Sequence, residues 1–274
     1  MSITLRCPVC HSPLQSMENG VSCSGNHRFD RARQGYLHLL PSNRMRSKSP
    51  GDDKQMVQAR NRFLDSGCYT SVSSALTEAT TRLVKGNPQP AILDAGCGEG
   101  YYTASIKNAV PDASVCGVDI SKPAILACCR RRKDVQWLVA SVSDLPIVDQ
   151  SVDIIVSVFS RCDWREFARV LKPGGHILVL APGQNHLQEL REAIYEDVRP
   201  YPVDKLVQDL PKPFSLVGNQ SVSGEMQLGS SQQILDLLAM TPHYWHIKPP
   251  QRESLEQRQA LKCRFDMKLY TISL

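Results

Sequence analysis

The sequence predicts an α/β protein: a doubly wound, mostly parallel sheet preceded by a small N-terminal module held together by a metal. Three observations carry this. Between residues 91 and 181, short apolar runs alternate with helical patterns, as in buried parallel strands joined by crossover helices. A glycine-rich loop, Leu93-Asp94-Ala95-Gly96-Cys97-Gly98-Glu99-Gly100, follows the first of these runs and opens a helix. Cys7, Cys10, Cys23 and His27 stand at C-x2-C-x12-C-x3-H spacing near the start of the chain.

In chain order, residues 1–35 form the metal module. A basic linker, 36–57, follows, with a polar, proline-bounded centre at 41–53. Residues 58–274 form the α/β domain. The pattern turns helical from Asp53 to Ser66, with Asp52 or Asp53 as N-cap, and again from Ser71 to Val84. Strands are expected at 91–93, 114–118, 135–140, 152–159 and 176–181. Helices are expected at 101–109, 122–132 and 166–171. Lys172-Pro173-Gly174-Gly175 reads as a turn before the fifth strand. The tail is less regular: 232–240 reads as a helix and 263–272 as a last strand.

Composition sets the outer limits. With 274 residues, 42% hydrophobic and 22% charged, the chain is ordinary globular material. No apolar run approaches the ~20 residues of a membrane span, and the N-terminus lacks the apolar core of a signal peptide. A cytoplasmic address and no membrane partner are therefore expected. Charge is uneven: residues 1–62 hold ten Lys and Arg against four Asp and Glu, while 63–274 hold 22 against 23. A basic segment beside a neutral body points to an anionic partner for that segment, against the plainer reading of a solvated Arg-rich surface.

The four spaced residues fit zinc. Two cysteines two residues apart in a tight turn aim both sulfurs at one point, and a hairpin returns the Cys23/His27 pair to complete a tetrahedron. Thiolates and imidazole with no open position describe one structural Zn2+ per chain. So small a segment has no core of its own, and the metal supplies its folding energy. His11 is the competing fourth ligand, and His27 fits the pairing better. The other cysteines, at 68, 97, 116, 128, 129, 162 and 263, read as small buried hydrophobes.

The loop is G-x-G-x-G preceded by an acid. A dinucleotide fingerprint needs glycine where Tyr101 stands, and no Gly-Lys-Ser/Thr follows. Asp119 ends the next strand, where a carboxylate takes both ribose hydroxyls. A ribose-binding acid without a phosphate cradle favours a nucleoside ligand without phosphate, S-adenosyl-L-methionine. Asp94 then stands near its amino-acid end, Asp119 near the ribose, and Ser143-Asp144-Leu145 near the adenine.

These residues resemble the seven-stranded (class I) methyltransferases in the D-x-G-C-G-x-G loop, the acid after strand two and the K-P-G-G turn. Phe29-Asp30, Gly35-Tyr36-Leu37-His38-Leu39-Leu40-Pro41, Pro50-Gly51-Asp52, Ala59-Arg60, Phe63-Leu64-Asp65 and Met240-Thr241-Pro242-His243-Tyr244-Trp245 narrow the likeness. Over nearly its whole length the chain resembles the large-subunit (23S) ribosomal RNA guanine-N1-methyltransferases. The resemblance implies a guanine in an rRNA hairpin as substrate, and RNA rather than DNA as partner. It also implies a homodimer with an RNA-sized cleft between zinc modules. Carried over by motif, the metal ligands are Cys7, Cys10, Cys23 and His27. Cofactor contacts are Tyr69, Gly96, Gly98, Gly100, Tyr102, Thr103, Asp119 and His186. The chain departs from the family pattern at Phe159-Ser160-Arg161-Cys162, where an aromatic, small residues and proline are expected. No catalytic role is carried over there.

N1 of guanine carries a proton on the Watson–Crick edge, so the target must lie in a loop or be flipped out. Asp163 and His186 are the sequence candidates for taking that proton, and the catalytic residue is left unassigned. Arg28, Arg31, Arg33, Arg44, Arg46, Lys48, Arg60 and Arg62 are candidates to neutralise phosphates, and Tyr36 or Phe29 to stack on a base. Two rival readings are a methyltransferase for a small molecule and a non-catalytic zinc-dependent RNA-binding adaptor. The first leaves the zinc module without a role. The second leaves the intact Asp94, Gly96, Gly98 and Asp119 unexplained.

Overall fold

A computed structural model describes the chain except residues 1, 2, 46, 48, 49 and 204, and the side chain of Arg44. The candidate phosphate contacts Arg46 and Lys48, and the Arg44 side chain, lie outside the described residues.

The N-terminal module is a small antiparallel sheet of β1 (Gln15–Met17), β2 (Gly20–Ser22) and β3 (Arg28–Asp30). Next comes β4 (Leu37–His38), then α1 (Lys54–Asp65) and α2 (Thr70–Leu83). Asp53 caps α1 by accepting the N–H groups of Gln55 and Met56. The α/β alternation follows as β5 (Ala91–Ala95), α3 (Tyr101–Ala109), β6 (Ser114–Asp119), α4 (Lys122–Arg131) and β7 (Gln136–Val139). It continues with β8 (Val152–Val158), α5 (Trp164–Val170), β9 (Leu171–Pro182), α6 (Gln188–Glu192) and α7 (Lys205–Gln208). Last come β10 (Ser215–Leu228), α8 (Ser231–Ala239), α9 (Pro249–Gln257) and β11 (Leu261–Ser273).

The large sheet runs β10-β11-β9-β8-β5-β6-β7-β4, parallel from β4 to β9, with β11 antiparallel to both neighbours. Strand order reverses between β5 and β8, so a crevice opens beyond their carboxyl ends. The six strands placed from the pattern are all there, β10 completes the seven of the family resemblance, and β4 adds an eighth. Two residues are too few to show a periodicity, and Leu37–His38 lies inside the stretch read as linker. Leu37 itself and the nearby Leu39 are buried. The expected turn at 172–175 lies within β9: Leu171 pairs with Val152 and His176 with Ile154, so the intervening residues bulge from a continuous strand.

Side chains alternate between two cores, as the pleat requires. Ile92, Val115, Leu178 and Leu180 join α1, α2 and α8 on one face. Leu93, Cys116, Ile177 and Val179 join Phe167 of α5 on the other. Ile3, Leu5, Cys7, Leu14, Val21 and Cys23 belong to that second core, so the N-terminal module packs on the sheet. Leu5 bridges Ile147, and the Arg6 N–H donates to the Pro146 carbonyl at 3.0 Å. Cys68 and Cys162 are half-buried rather than core residues; the other five non-cluster cysteines are buried.

Candidate active site and metal centre

Two tight turns build the metal centre. In the first, the Cys7 N–H donates to Ser12 O, the His11 N–H to Cys7 O, and the Val9 N–H to the Cys7 sulfur at 3.4 Å. In the second, the Asn26 N–H donates to Cys23 O, with Asn26 in the left-handed region at φ +61°. The β1–β2 hairpin brings the two turns together. Cys10 Sγ lies 3.5 Å from Cys23 Sγ, and His27 Nδ1 lies 3.3 Å from Cys23 Sγ and 3.6 Å from Cys7 Sγ. All four donor atoms fall within 4.8 Å of one another. Zn–S bonds of about 2.3 Å and a Zn–N bond of about 2.0 Å give tetrahedral edges of about 3.5–3.8 Å, so this donor set suits a closed zinc site. His11 stands outside the group. Hydrogen bonds from Ser12 bring the Cys10 thiol down to about 6, toward the thiolate that zinc binds.

The crevice at the switch point holds a cavity of about 620 Å3. Tyr69, Asp94, Gly96, Gly98, Tyr102, Asp119 and His186 line it, seven of the ten expected cofactor residues. Gly96 sits at φ +87°, and a Cβ there would collide with Ser160 Oγ, so only glycine fits the loop against the end of β8. Asp119 fixes the loop from the other side: Oδ2 accepts the Gly98 N–H at 2.9 Å and Oδ1 the Ser121 N–H at 2.8 Å.

Gly100 and Thr103 stand behind the wall. Gly100 begins α3, packed under Trp137 and Cys128. Thr103 donates its hydroxyl to Asp94 Oδ2. Asp144 is elsewhere: its carboxylate faces Arg6 at 3.5 Å, where the N-terminal segment crosses the 141–148 loop. The N-terminal module claims that side chain, which the domain's own pattern could not reveal.

The site is acidic and incompletely satisfied. Burial pushes Asp94 up to about 7 and raises Asp119 and Glu99 above the usual carboxylate range. Among the described residues, Asp94 Oδ1, Glu99 Oε2 and the Tyr102 hydroxyl are buried without a hydrogen-bond partner. Arg60 answers these acids: its Nη2 pairs with Asp52 at 2.6 Å, and its Nη1 lies 3.7 Å from Glu99 Oε2. Arg60 is thus part of the crevice, not a surface phosphate contact. Arg62 is likewise occupied, by the buried carboxylate of Asp236. Arg28, Arg31 and Arg33 remain exposed on the N-terminal module. Tyr36 is buried and Phe29 is packed into the second core, so neither presents a free ring.

Of the two candidate proton acceptors, His186 lines the cavity and Asp163 does not. Asp163 is the N-cap of α5, accepting the Glu166 N–H at 3.2 Å. Burial brings His186 down to about 4, so its ring is neutral. Nδ1 accepts the Asp266 N–H at 3.3 Å, which leaves the ring hydrogen on Nε2. Sequence reasoning missed Asp52, Glu99, Phe159, Tyr201 and Trp245, which also line the cavity. Glu99 stands inside the glycine loop and Asp52, Phe159 and Trp245 inside the quoted motif segments, whereas Tyr201 carried no signal.

Comparison with known proteins agrees with this geometry. Residues 5–48 match the zinc-ribbon family described as RlmA, N-terminal, and residues 92–175 match the family described as Methyltransferase domain. The 23S rRNA (guanine(748)-N(1))-methyltransferase of Streptomyces fradiae is 34% identical over 247 residues, covering 89% of this chain and 87% of its own. A Micromonospora griseorubida protein assigned to 23S rRNA (guanine-N1)-methylation is 34% identical over 263 residues, covering 89% and 88%. Among solved structures, one from Bacillus halodurans described as a methyltransferase superposes with a TM-score of 0.51 at 12% identity. It covers 72% of this chain and 97% of that one, and so shares the fold. Extent and identity together make the chain a member of the 23S rRNA guanine-N1-methyltransferases, S-adenosylmethionine-dependent enzymes that carry a structural zinc in an N-terminal ribbon.

Proposed function

We propose that the switch-point crevice seats S-adenosylmethionine around the Gly96–Gly100 loop and that a guanine from an rRNA hairpin enters the same cavity. The observation that carries this is the pair of buried polar atoms with no hydrogen-bond partner among the described residues, Asp94 Oδ1 and the Tyr102 hydroxyl, around that loop. A buried polar atom left unpaired costs about 1–3 kcal/mol, and a bound ammonium and carboxylate offset that cost. The surplus of acids over Arg60 favours a cationic ligand.

In this reading Asp119, held by two backbone N–H groups, turns its remaining lone pairs to the ribose hydroxyls. Asp94, steadied by Thr103, faces the amino group. The bound cofactor supplies an electrophilic methyl carbon; the chain's part is to align guanine N1 with it and exclude water. The acceptor of the N1 proton is not assigned to a residue of the chain: Asp163 lies outside the cavity lining, and His186 Nδ1 is held by the Asp266 N–H. His186 contributes a neutral N–H donor to the wall.

The hairpin is held by Arg28, Arg31 and Arg33 on the zinc module, whose exposure suits phosphate contact. Homodimers with the RNA between two zinc modules, working in the cytoplasm where large-subunit RNA is made, complete the proposal. The test has two readouts: calorimetric binding of S-adenosylmethionine, and mass spectrometry of large-subunit rRNA fragments after incubation. A methyl group on a guanine N1 in one hairpin is expected. No cofactor binding, or methylation only of a small molecule, overturns the reading.

A further inference from the structure

Two exposed aromatic rings line the crevice, and the donor site just described uses neither. Phe159 is 44% exposed and Trp245 is 65% exposed. Exposed phenyl and indole rings in a cavity wall are unusual unless something covers them.

Phe159 is fixed in place. Its backbone lies at φ +49°, a region an aromatic residue seldom adopts and one that concentrates at functional sites. Its N–H is tied to Leu180 O at 3.0 Å. One face of its ring stacks on His186, with centroids 5.6 Å apart and planes 27° apart. His186 is itself buried and held by the Asp266 N–H. The fold therefore supports a phenyl ring from behind and leaves the rest of it in the cavity.

Trp245 is presented by a different device. It ends the 3-10 turn Pro242–Trp245. Both ring nitrogens of His243 in that turn are hydrogen-bonded, Nδ1 to the Tyr195 hydroxyl at 3.0 Å and Nε2 to the Tyr201 hydroxyl at 2.8 Å. Tyr201 in turn lies under the Arg191 guanidinium at 4.3 Å. A clamped imidazole thus anchors the turn that carries the indole, which meets the Tyr244 ring edge-on at 5.1 Å.

Position separates Phe159 from the nucleoside half of the cofactor. Asp119 ends β6, and Phe159 follows β8, two strands away across β5. At about 4.8 Å per strand that is roughly 10 Å, on the far side of the glycine loop. An extruded purine needs flat apolar faces to replace the stacking of its former neighbours. We infer that Phe159 and Trp245 form the slot that receives the target guanine, with Phe159 as its fixed stacking platform. This rests on the proposed function and names the positioning residues of its second substrate.

The test uses full-length, zinc-loaded protein with Phe159→Ala, Phe159→Leu, Phe159→Trp and Trp245→Ala. It reads kcat/KM on the rRNA fragment beside the S-adenosylmethionine Kd. Loss of one base stack predicts a fall in kcat/KM of about fivefold to a hundredfold for F159A and F159L, with Kd within about twofold of wild type. F159W keeps most of the activity, because stacking needs a ring and not merely bulk. W245A falls less than F159A. An F159L variant as active as wild type overturns the slot while leaving the proposed function intact. An F159A variant that loses cofactor affinity by the same factor as turnover also overturns it, by assigning the ring to the donor. Wild-type protein that binds cofactor and methylates no rRNA guanine overturns both.

Discussion

Thr103 donates its hydroxyl to Asp94 across 2.5 Å in the first turn of α3, while the other carboxylate oxygen of Asp94 has no hydrogen-bond partner among the described residues. The pair ties the end of β5 to α3 and leaves one lone-pair face of the acid toward the crevice. Burial raises the Asp94 pKa from 3.8 to about 7, so near neutral pH the acid exists in both forms. In the empty protein the folded state holds this proton more tightly than the unfolded chain. The stability this contributes is full below pH 3.8 and is lost as pH rises to about 7. A cationic ligand reverses the preference, since it binds the carboxylate.

Cofactor affinity is therefore expected to weaken below about pH 7, approaching a tenfold change per pH unit. Calorimetry between about pH 5.5 and 8 checks this. Asp94→Asn flattens the profile and lowers affinity throughout. An equal Kd at both ends of the range contradicts the assignment of Asp94 to the ammonium.

Asp119→Ala is expected to weaken cofactor binding by about tenfold to a hundredfold, the worth of charge-assisted hydrogen bonds to two hydroxyls. Part of the loss comes from the Gly98 N–H, which Asp119 holds at 2.9 Å. Asp119→Asn keeps acceptor capacity on one atom and falls between. An unchanged dissociation constant removes Asp119 from the ribose.

Gly96→Ala is expected to destabilise the fold by about 1–2 kcal/mol from its left-handed backbone alone, with the collision against Ser160 added. Adding Ser160→Gly removes the collision and recovers only that share. Urea denaturation of the two variants separates the contributions; identical stabilities mean Ser160 does not press on the loop.

Cys23→Ser is expected to release zinc and to lower rRNA methylation more than cofactor affinity. Because Val21 and Cys23 belong to the same core as Leu93 and Val179, thermal unfolding of the domain shifts down as well. Metal analysis and a melting curve check both. Zinc retained at about one equivalent per chain contradicts the ligand assignment.

Reversing Arg28, Arg31 and Arg33 to Glu is expected to flatten the salt dependence of RNA binding, by about 0.7–0.9 in log–log slope for each phosphate no longer neutralised. Titrations at several salt concentrations give the slope directly. A slope equal to that of wild type places the RNA elsewhere.

The spacing C-x2-C-x12-C-x3-H identified the metal ligands, because turn geometry and donor chemistry are local properties that survive in a linear text. The glycine loop and Asp119 were legible for the same reason. The strand–helix alternation from Ala91 onward was legible because buried parallel strands are nearly continuous apolar runs. β10 was not: Ser215–Leu228 is largely exposed and carries Gly, Asn, Gln and Ser, so its pairing partner, not its own pattern, makes it a strand. Arg60 and Arg62 read as surface cations because a helix sequence does not say which carboxylates will pack against it. Asp144 read as a cofactor residue because nothing in the α/β pattern announces Arg6. Phe159 and Trp245 lay in the recognised segments, yet their exposure is a tertiary fact.

The short β4, seated beside β7, has a consequence for how the substrate must behave. A reading head tethered by a slack cord could swing toward its target. Here the polypeptide leaving the zinc ribbon is woven into the border of the same fabric that supports the crevice, so head and hearth share one sheet. On the proposed function, turning the base outward is then the share of the nucleic acid, and the sheet serves as its mould.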